Sequence, residues 1–167
     1  SYVYAVDVAT RDIRQITTRK GPWVAPQPSP DGRLIAFVGY DWTPQTYKTD
    51  ELWVVGFDGK GMRRISGDFD REPAQLHWAA NGKNLYFTAE DRGSRNVYMA
   101  SVSGARVRPV TTGAQILNMT SITDGGVAAH IALGLDHRAG AGARALLDHA
   151  ARADVDAAAE HGRGRDD

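Results

Sequence analysis

The feature that most constrains this chain is a fifteen-residue segment that occurs three times without a gap. Val3–Thr17 reads VYAVDVATRDIRQIT, Leu52–Ser66 reads LWVVGFDGKGMRRIS and Val97–Thr111 reads VYMASVSGARVRPVT. An aromatic holds the second place each time (Tyr4, Trp53, Tyr98). Apolar residues follow at alternate positions, first Val6, Val55 and Ala100, then Val8, Phe57 and Val102. Each copy closes on an arginine (Arg14, Arg63, Arg108), then Ile16, Ile65 or Val110, then a hydroxyl residue. Alternation of β-branched and aromatic residues at period two predicts strands. Turn-forming residues break each copy at its middle: Ala9–Asp12, Asp58–Gly61 and Ser103–Gly104. Each copy is therefore expected to be a β-hairpin.

A second repeated unit lies between these hairpins. Ser29-Pro30-Asp31-Gly32-Arg33 leads into Leu34–Gly39, and Ala79-Ala80-Asn81-Gly82-Lys83 leads into Asn84–Ala89. Asp-Gly and Asn-Gly make tight turns because glycine takes positive φ without a steric cost and Asn or Asp tolerates it. Trp23–Pro28 and Gln75–Trp78 are the expected incoming strands. A weaker third copy begins at Ser121 and runs to Gly126. Two hairpins make a four-stranded unit that recurs every 45 to 50 residues. That period belongs to the blades of a β-propeller, while strict two-residue alternation excludes a solenoid of helical pairs. Adjacent apolar residues such as Val54 and Val55 or Met99 and Ala100 give each strand two apolar faces. A sheet stacked between two neighbours needs that pattern.

The fold expected is all-β: about two and a half four-stranded blades over residues 1–126. The chain begins with an outer hairpin, Val3–Thr17, then has full blades at about Trp23–Ser66 and Glu72–Thr111, and starts a third near Gln115. Such a partial ring is expected to expose apolar blade faces and to be marginal or prone to aggregate by itself. SYVYAVDV lacks both a basic leader and an initiating Met. The true N-terminus is accordingly expected upstream.

Residues 127–167 are a different kind of sequence. They contain no aromatic, Ser, Thr, Pro, Lys, Asn or Gln, whereas residues 1–126 hold fourteen aromatics and eighteen Ser or Thr. Thirteen Ala and four of the five His fall in this tail. One reading is a helical or disordered linker, since Ala is the best helix former. The other is a shifted reading frame in GC-rich DNA. Neither gives the tail a function. His130, His137, His149 and His161 are seven, twelve and twelve residues apart, which puts no pair at the helical i, i+4 distance of a shared cation.

Twenty basic residues balance twenty acidic ones, so no electrostatic argument favours nucleic acid or an anionic membrane as partner. No apolar run reaches the roughly 18 residues of a membrane span. The chain has no cysteine, which excludes disulfides and thiolate chemistry and leaves the compartment open, with the cytoplasm ahead.

Three stretches, PQPSPDGRLIAFVGYD, TDELWVVGFDGKGMRRIS and DFDREPAQLHWAANGKNLYFTAEDRGSRNVYMASVSG, resemble the N-terminal propeller of the prolyl oligopeptidase family. The likeness is to its dipeptidyl-aminopeptidase and acylaminoacyl-peptidase branch and covers about Tyr2–Gly126. It implies a propeller stacked on an α/β-hydrolase domain whose Ser-Asp-His triad cuts peptides. The propeller would then filter substrates by size and contribute some contacts. SPDG-type turns also occur in TolB-like propellers, which leaves a non-enzymatic, protein-binding propeller as the alternative. No G-x-S-x-G nucleophile elbow occurs in the chain. Ser94 and Ser103 sit at expected turns and lack the second glycine. No catalytic residue, cofactor or metal ligand is therefore assigned. The expected partners are the remaining blades, a hydrolase domain and, in the parent protein, a peptide.

Two segments are candidates for contact with a substrate or with that domain. The long loop Tyr40–Glu51 presents Tyr40, Trp42 and Tyr47 beside Asp41, Asp50 and Glu51. Aromatics on a rigid scaffold can anchor a peptide; alternatively, the loop folds onto its neighbouring blade with Trp42 as a plug. The connection GDFDREP offers Arg71 and Glu72 to peptide termini or to the hydrolase. Its other reading is a local network in which Arg71 ties carboxylates together. Glu90, Asp91 and Arg92 carry the same pair of readings. His77, Trp23, Trp53 and Trp78 lie on expected strands and read as core.

Overall fold

The computed structural model describes residues 1–122 apart from 46 and 105, and the backbone of 128–133. Within these, the alternating segments form strands and no helix occurs. The first hairpin pairs β1 (Tyr4–Val6) with β2 (Ile13–Gln15). The first full blade runs β3 (Val24–Pro28), β4 (Leu34–Gly39), β5 (Glu51–Gly56) and β6 (Arg63–Arg64), each antiparallel to the next. The second runs β7 (Ala74–Trp78), β8 (Asn84–Asp91), β9 (Ser94–Ser101) and β10 (Val107–Pro109) in the same order. A further hairpin pairs β11 (Ile116–Ile122) with β12 (Ala128–Leu133). A single parallel bridge, Ile116 to Arg95, links it to β9.

The hairpins expected from the repeats are all present. The third inner turn lies largely within residues 123–127, outside the described set, but its two flanking strands pair as the repeat requires. The composition break and the sheet do not coincide, because Ala128–Leu133 lies beyond position 126 and is a strand rather than helix or coil. Residues 134–167, where the remaining helical or disordered tail was expected, are outside the described residues.

Both faces of the middle strands β4, β5, β8 and β9 are largely buried, and alternate residues serve different neighbours. Ile35, Phe37, Trp53 and Val55 pack with Val3 and Ile16 of the first hairpin. Their sequence neighbours Ala36, Val38, Leu52 and Val54 pack with Leu76, Leu85, Phe87, Tyr98 and Ala100 of the second blade. Val97 turns the other way and meets Leu117 and Met119 of β11. The apolar cores are thus the spaces between stacked sheets, which is the radial arrangement of a propeller.

The repeated polar residues hold these sheets in register. Arg14 Nη2 donates to the Phe57 carbonyl at 2.7 Å, and Arg63 Nη2 donates to the Val102 carbonyl at 3.0 Å. Phe57 and Val102 are equivalent positions, so Arg14 and Arg63 reach the same point on the blade that follows each of them. The closing hydroxyl repeats its role in two of the three copies, where Thr17 Oγ1 accepts the Val3 amide and Thr111 Oγ1 the Val97 amide, both at 2.9 Å, while the buried Ser66 Oγ has no partner. Trp78 Nε1 donates to the Gln27 carbonyl of the preceding inner strand. β3, β7 and β11 each carry a one-residue irregularity, and in the first two Ala25 (φ 51°) and Gln75 (φ 52°) are left-handed. A bulge bends and twists a strand, which suits strands crowded at the inner edge of a ring.

Candidate functional site

Antiparallel pairing decides which loops meet. Gly39 pairs with Glu51 and Trp53 with Arg64, so the Tyr40–Asp50 loop leaves at the end where β3 begins and β6 finishes. The connection between the two blades, Gly67–Pro73, emerges at that end too. So does the tight β8–β9 turn at Arg92-Gly93, where both residues have positive φ. Tyr40, Trp42, Tyr47, Arg71 and Glu72 therefore share one rim of the molecule. The Asp-Gly and Asn-Gly turns lie at the opposite end.

The loop is tied to the connection that precedes the first blade. Arg19 pairs with Asp41 at 2.8 Å, and the Trp42 amide donates to the Lys20 carbonyl at 2.9 Å. Lys20 Nζ lies 4.6 Å from the Trp42 ring and Lys48 Nζ 5.6 Å from the Tyr40 ring, both within cation–π range. Trp42 is not a buried plug: it is exposed, and Tyr47 is almost wholly so. The loop follows its neighbour through polar ties and leaves two aromatic rings in water.

Arg71 bridges two carboxylates, Asp70 at 2.9 Å in its own segment and Asp91 at 3.0 Å on the second blade. Its guanidinium also lies 5.7 Å from the Phe69 ring, which packs edge-on against Phe87 and Tyr98. The arginine thus fixes the connection onto the blade that follows it. Glu72 is exposed and lines a cleft of about 480 Å³ together with Ala74, Gln75, Thr88, Glu90 and Arg95. Asp50, from the long loop, is half-buried; burial and then the charge of Glu72 raise its pKa above the usual carboxylate range. That electrostatic contact joins the two candidate segments. The aromatic rings and the Arg71–Glu72 pair otherwise hold different stretches of the rim.

The repeats gave no sign of Gln75, Arg95 and Asn118. Gln75 Oε1 accepts from Thr88 Oγ1 at 3.2 Å and from the Met119 amide at 2.9 Å, while its Nε2 donates to Asn118 Oδ1 at 3.2 Å. Arg95 also donates to Asn118 and is paired with Glu90. These side chains stitch the second blade to β11 along the cleft. The one available signal was Gln75 standing where the first blade has Ala25, a polar amide at a left-handed inner-strand position. His77 is partly buried within β7, where a strand role was expected. Among the described residues, no group of three His, Asp or Glu side chains is placed to hold a metal ion.

No protein-family profile matches the chain. Dipeptidyl-peptidase 5 of Schizosaccharomyces pombe is 26% identical over 114 residues, covering 65% of this chain and 16% of that protein. Dipeptidyl-peptidase 5 of Trichophyton schoenleinii is 30% identical over 112 residues, covering 59% and 15%. The Tol-Pal system protein TolB of Francisella tularensis is 30% identical over 102 residues, covering 60% and 22%. The chain thus spans about one sixth of the length of the peptidases it matches. Among solved structures, the β-propeller domain of the trilobed protease from Pyrococcus furiosus superposes with a TM-score of 0.56 at 19% identity, over 72% of this chain and 36% of that one. TolB from Acinetobacter baumannii gives 0.57 at 23% identity, over 75% and 30%. The fold is that of a β-propeller.

Proposed function

We propose that this chain, a β-propeller segment homologous to dipeptidyl-peptidase 5, is the non-catalytic propeller portion of a prolyl-oligopeptidase-type serine peptidase. In this reading it gates or positions peptides for an α/β-hydrolase domain elsewhere in that protein. The observation that carries the reading is the sequence likeness to dipeptidyl-peptidase 5 over 114 residues. The rim fits it chemically. Exposed Trp42 and Tyr47 offer flat apolar rings to a passing peptide, and Glu72 offers a carboxylate beside the cleft. The 167 residues contain no G-x-S-x-G elbow, so they supply neither the strained turn that exposes a serine nor its adjoining oxyanion hole. The work left to this chain is to select and orient. The remaining blades and the hydrolase domain are its partners, and neither nucleic acid nor membrane is required.

A second reading, a TolB-like propeller that binds another protein at its mouth, draws on the 30% identity to the Francisella protein. Reading the DNA on both sides of the coding segment, in all frames, separates the two. A downstream hydrolase domain with a G-x-S-x-G elbow is expected. An upstream secretory leader with no hydrolase would replace the peptidase reading with the TolB-like one. The purified chain should show no turnover of a chromogenic aminoacyl substrate above buffer, and turnover would overturn its non-catalytic assignment.

A further inference from the structure

The charges of the described residues are sorted by end. At the rim that carries Tyr40, Arg71 and Glu72, four arginines are neutralised: Arg19 by Asp41, Arg64 by Glu51, Arg71 by Asp70 and Asp91, and Arg95 by Glu90. These make five of the six ion pairs among the described residues. The sixth, Arg33 with Asp31 at 3.9 Å, stands alone at the opposite end, where the blades turn on Asp-Gly and Asn-Gly.

The seams between sheets gather cations at that turn end. Arg14 Nη2 holds the Phe57 carbonyl, while the Phe57 amide donates to the Arg33 carbonyl. One blade on, Arg63 Nη2 holds the Val102 carbonyl, while the Val102 amide donates to the Lys83 carbonyl. Phe57 and Val102 thus each bring an outer-strand arginine beside the basic residue that follows the next inner turn. The same cation pair is built at two successive seams. Arg11, Lys60 and Arg106 lie in the outer turns of this end, and all seven cations are exposed. Four carboxylates share the end, Asp7, Asp12, Asp31 and Asp58. Three of them are engaged by turn amides: Asp7 by Ala9 and Thr10, Asp31 by Arg33, and Asp58 by Lys60. The turn end therefore keeps an excess of positive charge, although the whole chain is neutral.

We propose that this turn end is a docking face for an acidic polypeptide segment from outside the propeller. Blades stack side by side along their seams, so each further blade of a ring sets its own turns beside these and not over them. The contacts proposed above for peptide and hydrolase domain lie on the opposite rim, and the inference does not depend on the peptidase reading. A polypeptide fits this face better than a nucleic-acid strand does. Aspartates are set among the cations, and a uniformly charged backbone would meet both signs at once. A protein segment can place carboxylates on the cations and an apolar side chain on Phe57, which is 43% exposed, with the Arg14 guanidinium 5.0 Å from its ring.

The test is fluorescence anisotropy of the full chain with a labelled peptide of alternating Glu and Ala. Binding that weakens as salt is raised is expected. Arg33→Gln and Lys83→Gln leave the seams intact, because the bonds across them use only the backbone carbonyls of these residues. Each should weaken binding about threefold, and the two together about tenfold, as expected for exposed ion pairs. Arg92→Gln removes one exposed charge at the rim and should leave the affinity unchanged. An equal loss from Arg92→Gln would mean a response to net charge alone and would overturn the docking face. Absence of binding at low salt overturns it too, as does an affinity indifferent to both turn-end variants. Tighter binding of a single-stranded oligonucleotide, or of phosphatidylserine vesicles, than of the peptide would replace the acidic polypeptide with that partner.

Discussion

The two complete blades share a frame and part at one corner. Their inner hairpins stand fifty residues apart in sequence, with Gly32 and Gly82 at the same turn position, and their outer hairpins pair in the same order. Between second and third strands, however, the first blade inserts Tyr40–Asp50 while the second turns on Arg92-Gly93 alone. The inserted residues are held by surface ties to the preceding connection, and the described ones add nothing to the apolar clusters. Strand cores are fixed by what presses on both faces, whereas the rim answers only to chain closure, whose cost grows slowly with length. Variation that tunes recognition can collect there without disturbing the stack.

Substitutions can break or sharpen this contrast. The largest effect belongs to the stacked core. Phe87→Ala removes a buried ring that meets Phe69 edge-on at 5.4 Å and lies stacked with Tyr98 at 5.9 Å. A loss of about 3–5 kcal/mol is expected in denaturant unfolding; a loss below about 1 kcal/mol would mean that the interblade space is not the principal core. Arg63→Ala should cost about 1 kcal/mol through the lost bond to the Val102 carbonyl. Arg14→Ala should cost a similar amount if the repeat is energetic as well as geometric.

Asp50→Asn tests the seam between rim and frame. Because the Asp50 pKa is raised, the folded state holds the proton more readily than the unfolded chain does. Stability therefore falls as pH rises from about 4 through the folded value. The amide should be slightly more stable than the parent at neutral pH, with the gain fading towards pH 4 in thermal melts. The smallest effect is expected for Tyr47→Ala, within about 0.5 kcal/mol, since the ring is in water. A larger loss would show that the loop supports the frame.

The sequence disclosed whatever repeats. Hairpins, turns and the period of the blades could be read because each copy checks the others, whereas the recurrence of Arg14, Arg63 and Arg108 was visible without the carbonyls that Arg14 and Arg63 hold. Features that depend on one blade's position against another could not be read. The left-handed Ala25 and Gln75 have no local signature, since neither residue type favours positive φ and both sit where the strand register shifts against its partner. Arg71 could be read as a tie between carboxylates, but Asp91 as its far partner follows only from the fold. The Gln75–Asn118 contact spans 43 residues and two blades, beyond any spacing rule.

The shared clusters also bear on how the molecule comes apart. No blade owns an interior: Val54 and Val55, side by side in one strand, belong to different junctions. Melting should proceed seam by seam, and loosening one sheet strips shelter from the sheets on either side. Such a chain unravels from its margins inward, and its lifetime is governed by how its outermost seams are covered.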